Sequence, residues 1–418
     1  MKNTGVKSDR TMLKAIKNNA QNIYGIFLAE IRESFNDAGA VLIFLVAAII
    51  YPMLYSTGYM NESIREIPVA VVDLDHSALS RQYSRLLDAT EQVKVTEKPM
   101  SLKEAETLFY EGKIHGVVLI PAEFEKALFR GEQAKVTVYC DAGRFFVYKQ
   151  VFTAATYTTG MMNAGIEIKS MLATGKMYEE AVNRCEAITP QMFDAYNPSS
   201  GYATFIVPGI LMIVIQQTLL IGIGLLFGKH YETKKLIATG SVKGRVHSIQ
   251  VILGKSSVYV ALYLATTLVT LVLFYHWMGF PEKAGFLRIY PLLLLFIYAV
   301  SFMGIAISVW FRKRVHALMF IVFISPVVFF LCGIAWPMDS LPGAARILGY
   351  LFPTTTMLPA FLKLRIMGGG LDSVRHEITV LSIQMVGYFI LALVSNKLAM
   401  QRNSRKTGIT LTLPETPA

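Results

Sequence analysis

Six stretches of this chain are each about twenty residues long and almost wholly apolar, the length a helix needs to cross the hydrocarbon core of a bilayer. They fall at about Ala38 to Ser56, Tyr202 to Phe227, Val251 to Tyr275, Tyr290 to Phe311, Val315 to Trp336 and Ile378 to Leu398. Hydrocarbon offers backbone groups no partners, so runs of this length must satisfy their own hydrogen bonds as helices. Composition agrees: 53% of the 418 residues are apolar and 17% charged, more apolar and less charged than a soluble domain.

Charge then orients the spans. From Phe227 to Lys255, spanning the link between the second and third runs and the start of the third, the chain carries Lys229, Lys234, Lys235, Lys243, Arg245 and Lys255 against one acid, Glu232. Basic residues in short loops stay in the cytosol, because moving them across opposes the membrane potential and the anionic inner leaflet. The Arg312-Lys313-Arg314 loop is wholly basic, Met1 to Asp37 carries Lys2, Lys7, Arg10, Lys14, Lys17 and Arg32, and the tail carries Lys397, Arg402, Arg405 and Lys406. Both ends are therefore expected in the cytosol, as an even number of spans requires. The formal charge of +11 is uneven: residues 59–200 hold 15 bases and 19 acids, leaving 25 against 10 elsewhere. That is orientation charge flanking apolar runs, and it argues against a nucleic-acid partner.

In the amino-terminal 1–37 segment, Ile16, Ile23, Tyr24, Phe27, Leu28, Ile31 and Phe35 recur at helical spacing, the stripe of a helix lying on a membrane surface. The first span, in 38–58, begins too far from Met1 for a cleaved signal peptide and reads as an anchor. Residues 59–200 alternate strand and helix signals. Strands are expected at Pro68 to Leu74, Val93 to Thr96, Gly116 to Pro121 and Val136 to Cys140, with helix caps at Ser77 and at the Ser101-x-x-Glu104 box. The pattern is that of a compact α/β domain, which the orientation puts outside the cytosol, with a helical stalk at Phe145 to Leu172 and Tyr178 to Glu186. Residues 201–398 hold five spans, a cytosolic loop at 228–250 and a segment at 337–370. That segment is too apolar for an exposed loop and too broken by Pro and Gly for a span, so it reads as short re-entrant helices. Residues 399–418 form a cytosolic tail. The fold class is an α-helical integral membrane protein of six spans with an inserted extracytoplasmic α/β domain.

Motifs for chemistry on this chain are weak. Gly254-Lys255-Ser256 copies the end of a phosphate loop, but Ile249 stands where the first glycine belongs. Asp73 and Asp75 end a strand as in aspartyl phosphatases, without the acidic pair that would hold magnesium, and the structural reading is preferred, with both acids ending the strand and Ser77 capping the helix. No metal-ligand spacing or nucleophile triad can be drawn. Gln216 and Gln217 lie mid-span, where an amide needs a partner: interhelical glue first, a polar substrate path second. Cys332 reads as a buried hydrophobe, while Cys140 and Cys185 share one segment and read as two thiols, with a disulfide left open. An ion-driven carrier is disfavoured by the scarcity of ionisable residues in the spans.

Several short patterns occur in a fixed order: Leu28-Ala29-Glu30-Ile31-Arg32; Pro68 to Asp75 with His76, Ser77 and Arg81; Gly116 to Pro121 with Phe124, Arg130 and Gly131; Leu253-Gly254-Lys255; Gly333 to Pro337 with Leu341 and Pro342; and Phe352-Pro353-Thr354. Together they resemble the type-2 permeases of ATP-binding-cassette exporters, in particular the bacterial drug-efflux-like branch with a large external domain after the first span. The resemblance implies a permease subunit of the cytoplasmic membrane, not itself an enzyme, that moves an amphipathic substrate outward. ATP and Mg would sit on a separate ATPase subunit. Coupling to that subunit falls on Glu232, Lys234, Lys235, Leu236 and Thr239, with Glu30 and Arg32 nearby; Gln216, Gln217, Pro337 and Pro353 are the candidate substrate path. Further partners are a second permease, like or unlike, membrane lipid, and, as open additions, a periplasmic adaptor and an outer-membrane channel. The loop departs from the family pattern in having Tyr231-Glu232-Thr233-Lys234-Lys235 and no Pro, which points to a dedicated ATPase. The rival reading is an ATPase-linked mechanical or signalling protein that translocates nothing.

Overall fold

The computed structural model describes residues 4–58, 64–185, 196, 201–233, 247–279 and 282–407. The chain is mostly helical and divides into two compact units, residues 61–194 and the remainder. In chain order α1 spans Thr4–Phe35, and α2 runs over Ala38–Gly58 with a π-helical stretch at Leu42–Ala47. Then come β1 (Ile67–Asp73), α3 (Ala78–Asp88), β2 (Val93–Glu97), α4 (Leu102–Tyr110), β3 (Gly116–Ile120), α5 (Phe124–Phe129), β4 (Thr137–Cys140), α6 (Phe145–Ala173) and α7 (Tyr178–Cys185). The rest is helical: α8 (Tyr202–Glu232), α9 (Ser248–Leu268), α10 (Phe286–Ser308), α11 (Arg314–Leu331), α12 (Gly343–Gly349), α13 (Pro353–Phe361) and α14 (Arg375–Thr407).

The smaller unit is built on a mixed four-stranded sheet in the order β2-β1-β3-β4. β1 pairs in parallel with β2 and β3, and β3 pairs antiparallel with β4. β1 is central and buried on both faces, which is why Pro68 to Val72 is a continuous apolar run without alternation. One face packs Val69, Val71 and Val118 on Tyr83, Leu87 and Val151; the other packs Ala70, Val72 and Val117 on Ala105 and Ile114. The predicted caps form. Ser77 Oγ accepts from the Ser80 amide at 3.1 Å, and Ser101 Oγ accepts from the Glu104 amide at 3.3 Å. The phosphatase-like acids are occupied by structure: Asp73 accepts from the amides of Asp75 and His76 and from Ser80 Oγ, and Asp75 accepts from the Glu125 amide at 3.0 Å. Burial opposes ionisation of Asp75, but the Ser77 hydroxyl and the amides at the start of α5 hold its pKa below the usual 3.8.

No disulfide joins Cys140 and Cys185. Cys140 stands opposite Gly116, which lies against Val151, whereas Cys185 Sγ reaches the Ala164 carbonyl at 4.0 Å. Val151 and Ala164 are separated along α6 by about 20 Å at 1.5 Å per residue. A disulfide tolerates about 7 Å between Cα atoms, so the open pairing resolves to two thiols.

Among the described residues of the larger unit, six helices are long and apolar enough to cross a membrane: Ala38–Gly58, Ile206–Glu232, Ser248–Val272, Leu287–Ser308, Arg314–Leu331 and Leu371–Ala399. α8 is the most enclosed of them, and small residues let its neighbours approach. A Cβ added at Gly222 would fall 2.1 Å from the Phe44 ring, and one at Gly304 would fall 2.8 Å from Ile223. The Pro- and Gly-broken segment forms two helices, Gly343–Gly349 and Pro353–Ile366, bent by 86°. Pro353 opens the second at its first turn, where a missing N–H costs nothing.

Candidate functional site

α1 is amphipathic in an unexpected sense. Asn22, Ile26, Glu30 and Ser34, at i, i+4 spacing, are buried, so polar groups fill most of the face it turns to the protein. Tyr24, Leu28 and Phe35 of the predicted stripe are exposed, and Phe27 and Ile31 are half-buried against the main core. The close approach of α1 and α9 needs Gly254, where a Cβ would sit 2.7 Å from Ile26.

At that contact Lys255 Nζ donates to Glu30 Oε2 at 2.6 Å, with the lysine side chain 3% exposed and the glutamate 0%. The second Glu30 oxygen accepts from the Tyr259 hydroxyl one turn along α9. Lys255 also donates to His230 Nδ1 at 3.4 Å, which fixes the imidazole proton on Nε2, and lies 4.8 Å from the centre of the Phe227 ring. Burial pushes Glu30 towards protonation, but the charge and hydrogen bond of Lys255, with the Tyr259 hydroxyl, outweigh it and keep its pKa below the usual 4.5. One carboxylate thus ties α1 to α8 and α9.

A second layer lies towards solvent. Lys229 Nζ bridges Glu33 at 2.5 Å and Asp37 at 3.1 Å, and Arg314 reaches Asp37 at 3.0 Å and Glu232 at 3.6 Å. Asp37 also caps α2, accepting from the Ala40 amide at 3.0 Å. Burial opposes its charge, yet the Ala40 amide, Lys229 and Arg314 hold its pKa below 3.8. Gly228 brings α8 to the start of α11, since a Cβ there would be 2.7 Å from the Arg314 nitrogen.

The sequence-predicted coupling residues divide. Lys234, Lys235, Leu236 and Thr239 lie outside the described residues. Glu232 is exposed, on the last turn of α8 rather than in a loop, because the helix continues five residues past Phe227. Arg32 is exposed. Glu30 is sealed inside the bundle, which suits an internal strut better than a docking contact. Sequence reasoning missed Lys255, Tyr259, His230, Asp37 and Arg314; a lysine inside an otherwise apolar span was the available signal.

The substrate-path candidates also divide. Gln216 Oε1 accepts from the Thr354 amide at 3.0 Å and so caps α13, which places Gln216 beside Pro353. Gln217 is buried without a hydrogen bond to either amide atom. Pro337 precedes a short 3-10 turn at Met338–Ser340. Beyond α13 the helix widens to a π-turn at Leu362–Ile366, where the buried Arg365 donates to the Leu271 carbonyl at 2.7 Å and pairs with Glu282 at 2.9 Å. Leu271 lies in the π-helical continuation of α9, Val269–Phe274. A single span therefore meets α1 at Lys255 and the bent helix pair at Leu271.

The profile of the ABC-2 family transporter proteins matches residues 39–394, from the start of α2 into α14. The chain belongs to that family. It is thereby a multi-pass membrane permease of an ABC transporter, and membership implies work with an ATP-binding-cassette ATPase subunit. The chain is also 20% identical over 355 residues to the probable multidrug ABC transporter permease YbhS of Escherichia coli K12, covering 83% of this chain and 89% of the relative. The same protein of Escherichia coli O157:H7 matches equally.

Proposed function

We propose that this ABC-2 permease exports an amphipathic substrate from the cytoplasm or inner membrane, driven by ATP and Mg bound on separate ATPase subunits and paired with a second permease, like or unlike. The observation that carries the reading is the Glu30–Lys255 pair, which locks α1, α8 and α9 together at the end where α8 leads into residues 234–246. A push on those residues would be delivered to three helices at once, because packed elements joined by ion pairs move as a body. The basic loops support an inner-membrane placement with both termini in the cytosol, and that placement puts the sheet-based unit outside. The relative's description as a probable multidrug permease supports an amphipathic cargo. In this reading Gln216, Gln217, Pro337 and Pro353 border the substrate path, while Glu232 and Arg32 supplement Lys234, Lys235, Leu236 and Thr239 at the ATPase.

Replacing Lys234, Lys235 and Leu236 with Asp or Ala tests it: copurification with the ATPase and ATP-dependent efflux are both expected to fall. If both stay at wild-type level, the coupling assignment fails. A second reading, mechanical signalling without translocation, is favoured by residues 61–194 forming a compact unit with its own core. Drug sensitivity on deletion of the chain supports export, and unchanged sensitivity supports the second reading.

A further inference from the structure

Gln217 lies in the middle of α8, 7% exposed, with neither its amide oxygen nor its amide nitrogen hydrogen-bonded among the described residues. Leaving a donor and an acceptor unmet in an apolar bundle is costly unless something arrives to meet them. Its direction follows from the helix. Leu220 and Gly224 share its face at i+3 and i+7, and a Cβ at Gly224 would lie 2.7 Å from the Ala317 Cβ and 3.6 Å from Ser308 Oγ. That face looks towards α10 and α11. There Leu220, Met303, Ile307, Phe320, Ile321 and Phe352 border an apolar cleft of about 20 Å³.

A second set of unmet groups adjoins it. Gln216 Nε2 and the hydroxyls of Thr354 and Thr356 are buried without partners, and Phe352 of the cleft is two residues before Thr354. All of these side chains are neutral. Glu30 of α1 and Lys255 of α9 are spent on each other. An ion brought to the cleft would shed its water and find no counter-charge on those groups, whereas a hydroxyl or amide would find both donors and acceptors. At about 20 Å³ the cleft is closed, but only 17% of the α11 span is buried, so a small outward shift of that helix widens it.

We infer that this cleft binds an amphiphile with an uncharged polar end, its tail between α10 and α11 and its head on Gln217, Gln216 and the hydroxyls of Thr354 and Thr356. The inference rests on the export reading and names its substrate class. The test uses the full chain in phosphatidylcholine nanodiscs and two photoactivatable probes with the same diazirine-bearing dodecyl tail, one a dodecylglycerol and the other a dodecyltrimethylammonium. The dodecylglycerol is expected to label residues 303–308 and 320–324 saturably. Gln217→Leu should lower that labelling roughly five- to tenfold, the loss of one well-placed polar contact. Gln217→Asn should restore part of it, and Gln217→Glu should turn the preference to the cationic probe. Equal labelling by both probes in the wild type, or unchanged labelling in Gln217→Leu and Gln217→Glu, overturns the assignment. ATPase copurification reports on the export reading separately: if it is retained without cleft labelling, this site alone falls, and cleft labelling without copurification removes the export reading instead.

Discussion

Lys255 and Glu30 form a contact at 2.6 Å between side chains that are both shut away from solvent, across a sequence separation of 225 residues. The pair explains why a helix whose protein-facing side is largely polar docks at all. Two desolvated charges are tolerable when each has several hydrogen-bonding partners, and Glu30 has Tyr259 while Lys255 has His230 and the Phe227 ring. The same arrangement makes α1 dependent on one carboxylate.

Removing either charge alone should therefore be worse than removing both. Glu30→Gln and Lys255→Met are each expected to lower stability by about 3–5 kcal/mol, because each leaves a buried, uncompensated charge, whereas the double variant should recover a large part of the loss. Thermal melts of the four proteins in detergent read the coupling. Additive losses would show that the pair is not an interacting unit.

Acid should loosen the second layer. The Asp37 carboxyl is held below its free value of 3.8, so its contribution to stability is present above that pH and is lost as pH falls through the folded value. The expected result is a melting temperature that falls on acidification below about pH 4. Asp37→Asn keeps the oxygen that caps α2 but removes the charge facing Lys229 and Arg314. It should be less stable at neutral pH and show a flatter acid limb. An acid limb as steep as in the wild type would locate the titration elsewhere.

The junction of α8 with α11 should be intolerant of a single methyl group. Gly228→Ala places a Cβ against the Arg314 backbone, which cannot swing aside as a side-chain tip can. A cost of about 1–3 kcal/mol is expected from the forced separation, with reduced efflux if α8 and α11 must stay in contact to transmit motion. Wild-type melting and efflux in Gly228→Ala would show that the helices part freely there.

Much of the architecture was legible from local signals. The six spans, the caps at Ser77 and Ser101 and the buried β1 strand follow from run length, cap chemistry and the absence of alternation, each decided within about twenty residues. The bent pair at 343–366 was legible from its Pro and Gly content. The acids Asp73 and Asp75 read correctly as structural, but only Asp73 is used locally, on the Asp75 and His76 amides; Asp75 accepts from the Glu125 amide, 50 residues on. Lys255 was different: in sequence it looks like the last base of a loop or the end of a failed phosphate motif.

Run length by itself determined which stretches of the described residues form the six helices long and apolar enough to cross a membrane, because a bilayer demands about twenty apolar residues per crossing. Only the tertiary structure decided that Glu30 meets Lys255, that Gln216 caps α13 and that Arg365 reaches the Leu271 carbonyl. Those contacts join segments about 90 to 225 residues apart. They are set by how helices pack and by which buried polar group is left needing a partner, and neither is written in any local stretch of the chain.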